Sequence, residues 1–212
     1  MKSKHLIPIF LLTALSPLPA NAQWANQGSG ISNPNFRVSG FTIANPDVVW
    51  GIATDAVASP EPDYLVKTND GGATWAALPI NVPPALHAIQ VFVLDEMTGW
   101  LATSDELNPI SGKVYKTTNG GLSWIPVEIP NATQAAQVEY IPGTEGAYLV
   151  HNGAITETNT NATMMVTHDD GKTWETFESN LNLDCVEFLS QKSGFGAGNI
   201  IGPDSWGMEI VH

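Results

Sequence analysis

"KTTNGGLSW", residues 116–124, decides how the rest of this chain is read. "KTNDGGATW" at 67–75 copies it closely, and "THDDGKTW" at 167–174 copies it loosely. Aligned on the tryptophan, Thr68, Thr117 and Thr167 match, then Asp70, Asn119 and Asp169, then Gly72, Gly121 and Gly171. Thr74, Ser123 and Thr173 follow, and the phrase ends on Trp75, Trp124 and Trp174. The pattern [ST]-x-[DN]-x-G-x-[ST]-W describes a hairpin turn. An Asp or Asn side chain can accept hydrogen bonds from turn amides two or three residues on. Glycine takes the positive φ that a tight turn requires. The hydroxyl residue is expected to open the outer strand. The Trp buries a large ring against a neighbouring sheet, with its N–H directed to a carbonyl. Asn119 stands where the other copies carry Asp. The turn therefore does not need a charge, whereas a catalytic or metal-binding carboxylate would tolerate that exchange badly.

The copies recur at an even interval. Trp75, Trp124 and Trp174 are 49 and 50 residues apart. A second ladder, Trp50, Trp100, Tyr148 and Phe195, is spaced by 50, 48 and 47. Two independent ladders of one period mark a true repeat. Short runs rich in Val, Ile, Thr and aromatics, bounded by Gly, Pro, Asn and Asp, predict four strands per unit. They fall near 39–45, 48–54, 63–68 and 74–80, then 87–94, 98–104, 113–118 and 123–129. The third unit offers 136–141, 146–151, 162–167 and 173–178, and the last 184–189, 194–199 and 207–212. No amphipathic helix stands out. The expected fold is all-β, a β-propeller of about four blades. The units run about 38–86, 87–135, 136–183 and 184–212. Trp24 lies 51 residues before Trp75, so residues 23–30 are candidates to complete the last blade. Two arrangements stay open: a small closed ring, or part of a larger propeller.

The repeated phrase resembles the Asp-box, or bacterial neuraminidase repeat. That repeat occurs in sialidases, sortilin-type propellers, some large glucanases and photosystem II assembly-factor-like propellers. The interval near 50, with "VVWGIATD"-type phrases between the boxes, is most similar to the last group and its exported bacterial relatives. The resemblance covers about 38–212. It implies that the box is a structural turn on the face opposite the ligand site.

The chain starts with a short basic stretch, an apolar run from Leu6 to Ala20, and "ANA" before Gln23. This is the pattern of a secretory signal peptide, expected to be cleaved after Ala22. Residues 23–212 would then be the propeller domain, exported to the periplasm, cell surface or exterior. No membrane span is expected, because the apolar run is short and broken by Pro8, Pro17 and Pro19. The formal charge is −13, and loss of Lys2 and Lys4 would leave six basic residues against 21 acidic. Nucleic-acid binding needs clustered Lys and Arg and is not expected. Cys185 is the only cysteine. It is read as a small buried hydrophobe, and zinc sites built on several cysteines are excluded. No cofactor and no metal site is expected: a Ca²⁺ site from loop carboxylates has no supporting ligand spacing.

Function is less legible. A sialidase site implies three arginines, and this chain has only Arg37. A lysine cannot rebuild the planar bidentate clamp. If the first-to-second and third-to-fourth turns share one face, the second-to-third loops occupy the other. Those loops, near 55–62, 105–112, 152–161 and 200–206, carry Asp55, Glu61, Asp105, Glu106, Glu157 and Asp204. Function usually sits on such loops. The first reading is a non-enzymatic propeller that binds a protein or glycan through this loop face. The second is a glycoside hydrolase, not a sialidase, whose carboxylate pair is Asp55 and Asp105. The bland reading of each acid is a solvated loop residue. His87 and His151 border apolar strands and read as packing or edge residues. His168 lies within the third box and reads as a solvated turn residue.

Overall fold

The computed structural model describes residues 30–58, 63–105, 112–130, 137–144, 146, 148–152, 162–179 and 181–200. It is all-β, with fourteen strands and no helix among those residues. The first sheet is β1 (Phe36–Ile43), β2 (Val49–Asp55), β3 (Asp63–Thr68) and β4 (Ala76–Pro79). The second is β5 (Leu86–Val93), β6 (Gly99–Asp105), β7 (Val114–Thr117) and β8 (Ile125–Val127). The third is β9 (Gln137–Tyr140), β10 (Tyr148–Asn152), β11 (Ala162–Thr167) and β12 (Glu175–Ser179). β13 (Leu181–Ser190) and β14 (Ser193–Ile200) pair as the start of a fourth. Within each sheet the strands lie in chain order, every pair antiparallel. These are propeller blades. Of the segments expected to finish the fourth blade, 207–212 and all of 23–30 except Gly30 lie outside the described residues, as does the closure of the ring that depends on them.

Strand periodicity explains how the blades stack. Side chains alternate between faces, so Trp50 and Ile52 of β2 share one face with Val48 just before the strand. That face meets Val91, Val93, Leu101, Tyr115 and Trp124 of the second blade in one core cluster. The opposite face of the second blade presents Trp100, Ala102 and Val114 to Val138, Tyr140 and Trp174 of the third. Val186 and Phe188 of β13 continue the series against Met164 and Val166. A middle blade is covered on both faces, which is why β6 is buried from Gly99 to Thr103 rather than alternating.

The tryptophan ladders are therefore two halves of one contact. Trp50 and Trp100 are fully buried on the forward face of their own blades, and the box tryptophan of the next blade packs over each. Trp100 and Trp174 meet edge to face, their ring centroids 6.4 Å apart. Glycines make room for this approach. A Cβ on Gly99 would meet the Trp50 ring at 2.6 Å, and one on Gly171 would meet Trp100 at 2.9 Å.

Two local expectations are revised. The outer strands begin after the tryptophan, at Ala76, Ile125 and Glu175, and not at the preceding hydroxyl residue. The amides of Thr74, Ser123 and Thr173 are used on the Asp or Asn side chain, which withdraws them from the ladder. The buried indole N–H groups of Trp75, Trp124 and Trp174 find no acceptor among the described residues. These rings contribute through area rather than through a hydrogen bond.

Candidate functional site

The three repeated turns share one hydrogen-bond set. Thr68 Oγ1 accepts from the Gly72 amide at 2.9 Å and donates to Asp70 Oδ1 at 2.7 Å. Asp70 Oδ1 accepts from the Thr74 amide at 2.9 Å, and Oδ2 accepts from the Thr74 hydroxyl at 2.6 Å. Thr167, Asp169, Gly171 and Thr173 repeat the set. Thr117, Asn119, Gly121 and Ser123 repeat it with one reversal: Asn119 Nδ2 donates to Ser123 Oγ at 2.8 Å. The Thr74 hydroxyl and amide, then the Thr68 hydroxyl, hold the Asp70 carboxyl down at about 2. The hydroxyl and amide of Thr173 do the same for Asp169, also about 2. Both carboxylates are thus occupied by their own turn.

Each turn is also tied to its surroundings. Gly71 donates to the Asp47 carbonyl, Gly120 to Met97 and Asp170 to Gly146, which joins the turn to the first hairpin of its own blade. Those three donors all have positive φ, 67°, 71° and 65°, and in the third turn the residue is Asp rather than Gly. Aspartate tolerates the left-handed region better than most residues. The preceding blade supplies a lysine. Lys67 passes 5.2 Å over the Trp50 ring and donates to the Gly120 carbonyl at 2.7 Å. Lys116 passes 5.5 Å over Trp100 and pairs with the Asp170 carboxylate. Burial pulls the Lys67 ammonium below its usual range, against the opposing pull of Glu96.

At the other end of the sheets, Asp55 closes β2. Its Oδ2 accepts from Asn33 Nδ2 at 2.8 Å and its Oδ1 from the Val57 amide at 3.2 Å. Asp105 closes β6 at the corresponding place, opposite Leu86. Glu61, Glu106, Glu157 and Asp204 lie outside the described residues. Asp63 reaches across to the second blade, accepting from the Ala88 amide at 2.7 Å, with His87 Nδ1 at 3.6 Å. His168 is exposed on the third turn.

A concave site lies elsewhere, along the innermost strands. Ser39–Ile43 of β1, Ile52 of β2, Ile89–Phe92 of β5, Glu139 of β9 and Glu187 of β13 line a cleft of about 490 Å³. Bulges at Gly40 and Ile89 break the register of the two innermost strands there. Phe41 leans over Gly51, where a Cβ would meet its ring at 2.8 Å, and touches Trp75 with centroids 6.0 Å apart. Phe41 nevertheless stays 59% exposed, Ile43 69% and Ile89 43%. Side chains of the innermost strands bridge the blades. Gln90 Oε1 accepts from the Val138 amide at 2.8 Å, and Thr42 Oγ1 accepts from the Val93 amide at 3.4 Å. Glu139 Oε1 accepts from Gln137 Nε2 at 2.6 Å and from Gln90 Nε2 at 3.4 Å. Burial pushes the Glu139 carboxyl up, the Gln137 amide opposes that, the Glu187 charge adds to it, and Gln90 opposes again. Among the described residues no lysine or arginine lines this cleft. Sequence reasoning passed over Gln90, Glu139 and Glu187. The available signal was a polar residue recurring at the repeat interval in the innermost strands: Gln90, Glu139 and Glu187 are 49 and 48 residues apart.

No protein-family model matches the chain, and no curated protein does. Among solved structures the chain is similar to YCF48 from Cyanidioschyzon merolae, at 17% identity and a TM-score of 0.48, over 84% of this chain and 57% of that one. It is similar to YCF48 bound to a D1 peptide, at 10% identity and 0.47, over 81% and 68%. It is also similar to the phage phi92 endosialidase, at 9% and 0.48, over 79% and 31%. The chain therefore spans 57% of the first of these proteins and under a third of the last. Among the described residues, no helix is long and apolar enough to cross a membrane.

Proposed function

We propose that this chain is an exported, non-enzymatic β-propeller of the Asp-box type that binds a protein ligand in this cleft, as a recognition or scaffold module. The cleft carries the reading. Three solvent-facing apolar side chains, Phe41, Ile43 and Ile89, converge with a few fixed polar groups in one concave place. Apolar lining for affinity and a small polar set for orientation are what a binding site needs. The boxes fit a fastening role, since their carboxylates are used within the turn and Asn119 serves as well as Asp. Asp55 likewise spends both oxygens on Asn33 and Val57, which favours a binding module over hydrolysis by an Asp55–Asp105 pair. Residues 1–22 would direct export, so protein recovered from outside the cytoplasm should begin at Gln23.

The test is selection of displayed random peptides on the immobilised protein. Peptides are expected to enrich on the native chain and to lose binding to Ile43→Glu, a change at an exposed cleft position. Equal binding to both proteins would move the site out of the cleft. Absence of any enriched peptide, together with glycan turnover that disappears in Asp55→Asn and Asp105→Asn, would replace this reading with the hydrolase.

A further inference from the structure

The cleft has a charge pattern that narrows its ligand. Glu139 and Glu187 come from neighbouring blades, 48 residues apart, at corresponding positions of β9 and β13: Val138 and Val186 beside them both face the preceding blade. Glu139 is half-buried and its described partners are the neutral amides of Gln137 and Gln90. Amide donors satisfy a carboxylate's lone pairs but leave its charge uncompensated, and a buried charge without a counter-ion is costly. Glu187 adds a second negative group to the same cleft wall. Phe41, Ile43 and Ile89, apolar and exposed, line the same cleft. The bulges at Gly40 and Ile89 interrupt the innermost edges, which disfavours recognition by strand addition and leaves recognition to inserted side chains.

Resting on the protein-binding reading above, we propose that the cleft receives an arginine or lysine side chain from an extended peptide segment, its cationic head at Glu139 and Glu187 and its aliphatic stem against Phe41, Ile43 and Ile89. Long cationic side chains carry both halves of this match, an apolar stem and a charged tip. Arginine is the better fit, because its fork satisfies carboxylates at two points and is more weakly hydrated than an ammonium.

The experiment uses the full chain and two fluorescein-labelled pentapeptide pools with randomised flanks, one with a central arginine and one with the neutral isostere citrulline. Anisotropy should show the arginine pool binding at least about tenfold more tightly than the citrulline pool, as for a hydrogen-bonded charge pair. Glu187→Gln, an exposed position that leaves the core untouched, should erase most of that difference, and Glu139→Gln should do the same. Citrulline binding should change far less than arginine binding in both variants. Equal binding of the two pools, or an arginine preference that survives both substitutions, overturns the proposal. If displayed peptides without Lys or Arg are selected and are blocked by Ile43→Glu, the cationic ligand is wrong and the cleft is still a protein site. If no peptide binds at all, both readings fall together.

Discussion

At the scale of single residues, the repeated turn works through a hydroxyl and a carboxyl or amide that satisfy each other. Thr68, Thr117 and Thr167 are almost fully buried, and each supplies its oxygen to the amide of the turn glycine four residues on. Asn119 accepts at Oδ1 as the aspartates do, and its amide donates where they accept. This leaves a pH signature in two turns and none in the other. The ordinary carboxyl value of 3.8 falls to about 2 for Asp70, chiefly through the Thr74 hydroxyl, and to about 2 for Asp169, chiefly through Thr173. The folded turns favour the carboxylate, so the unfolded chain takes up the proton first as the pH falls. The stabilisation is complete above 3.8 and is lost as the pH drops through about 2. Melting temperatures followed by circular dichroism from pH 5 to pH 2 should fall less steeply for Asp70→Asn/Asp169→Asn than for the native chain. Parallel curves would show that these carboxylates are not linked to folding.

At the scale of the elements, the turn joins blades as well as closing them. Gly121 has a φ of 86°, and a Cβ there would meet Leu65 Cδ2 of the preceding blade at 2.2 Å. Gly121→Ala therefore adds left-handed strain to a clash, and overpacking of this kind costs about 1–3 kcal/mol. Leu65→Ala opens a cavity in the first core cluster, at a cost of about 2–5 kcal/mol. Urea unfolding of the single and double variants should show the double less destabilised than the sum, by more than about 0.5 kcal/mol, because the cavity admits the new methyl. Strict additivity would mean that the turn and the neighbouring blade are not packed as one unit. Lys67 and Lys116 belong to this scale too. Each sits one position before its own box threonine, over the tryptophan of its own blade, and reaches the turn of the next.

At the scale of the whole molecule, each blade is stabilised by its neighbours, as in other repeat architectures. Trp100 lies between the second and third blades, and Trp100→Ala should cost about 3–5 kcal/mol. Hydrogen exchange should then speed up in β5–β8 and β11 while the amides of β2 and β3 keep their protection. Uniform loss of protection would indicate a single cooperative unit instead. The four strands of each of the first three blades, their order and the period of the blades were legible in the chain, because turn chemistry and side-chain alternation are local and were written three times. The Asn-for-Asp exchange at 119 also announced a turn that does not depend on charge. The cleft was not legible. Glu139 and Glu187 sit in strands as ordinary as their neighbours, and only the stacking of successive blades brings both into one cavity with Phe41, Ile43 and Ile89. The lysine ties were equally hidden, since Lys67 and Gly120 are 53 residues apart and meet only across a blade interface. The sequence by itself determined what each blade is, because a blade is made of hydrogen bonds between near neighbours. The tertiary structure alone decided which side chains line the cleft, because that surface is assembled from strands of four successive blades.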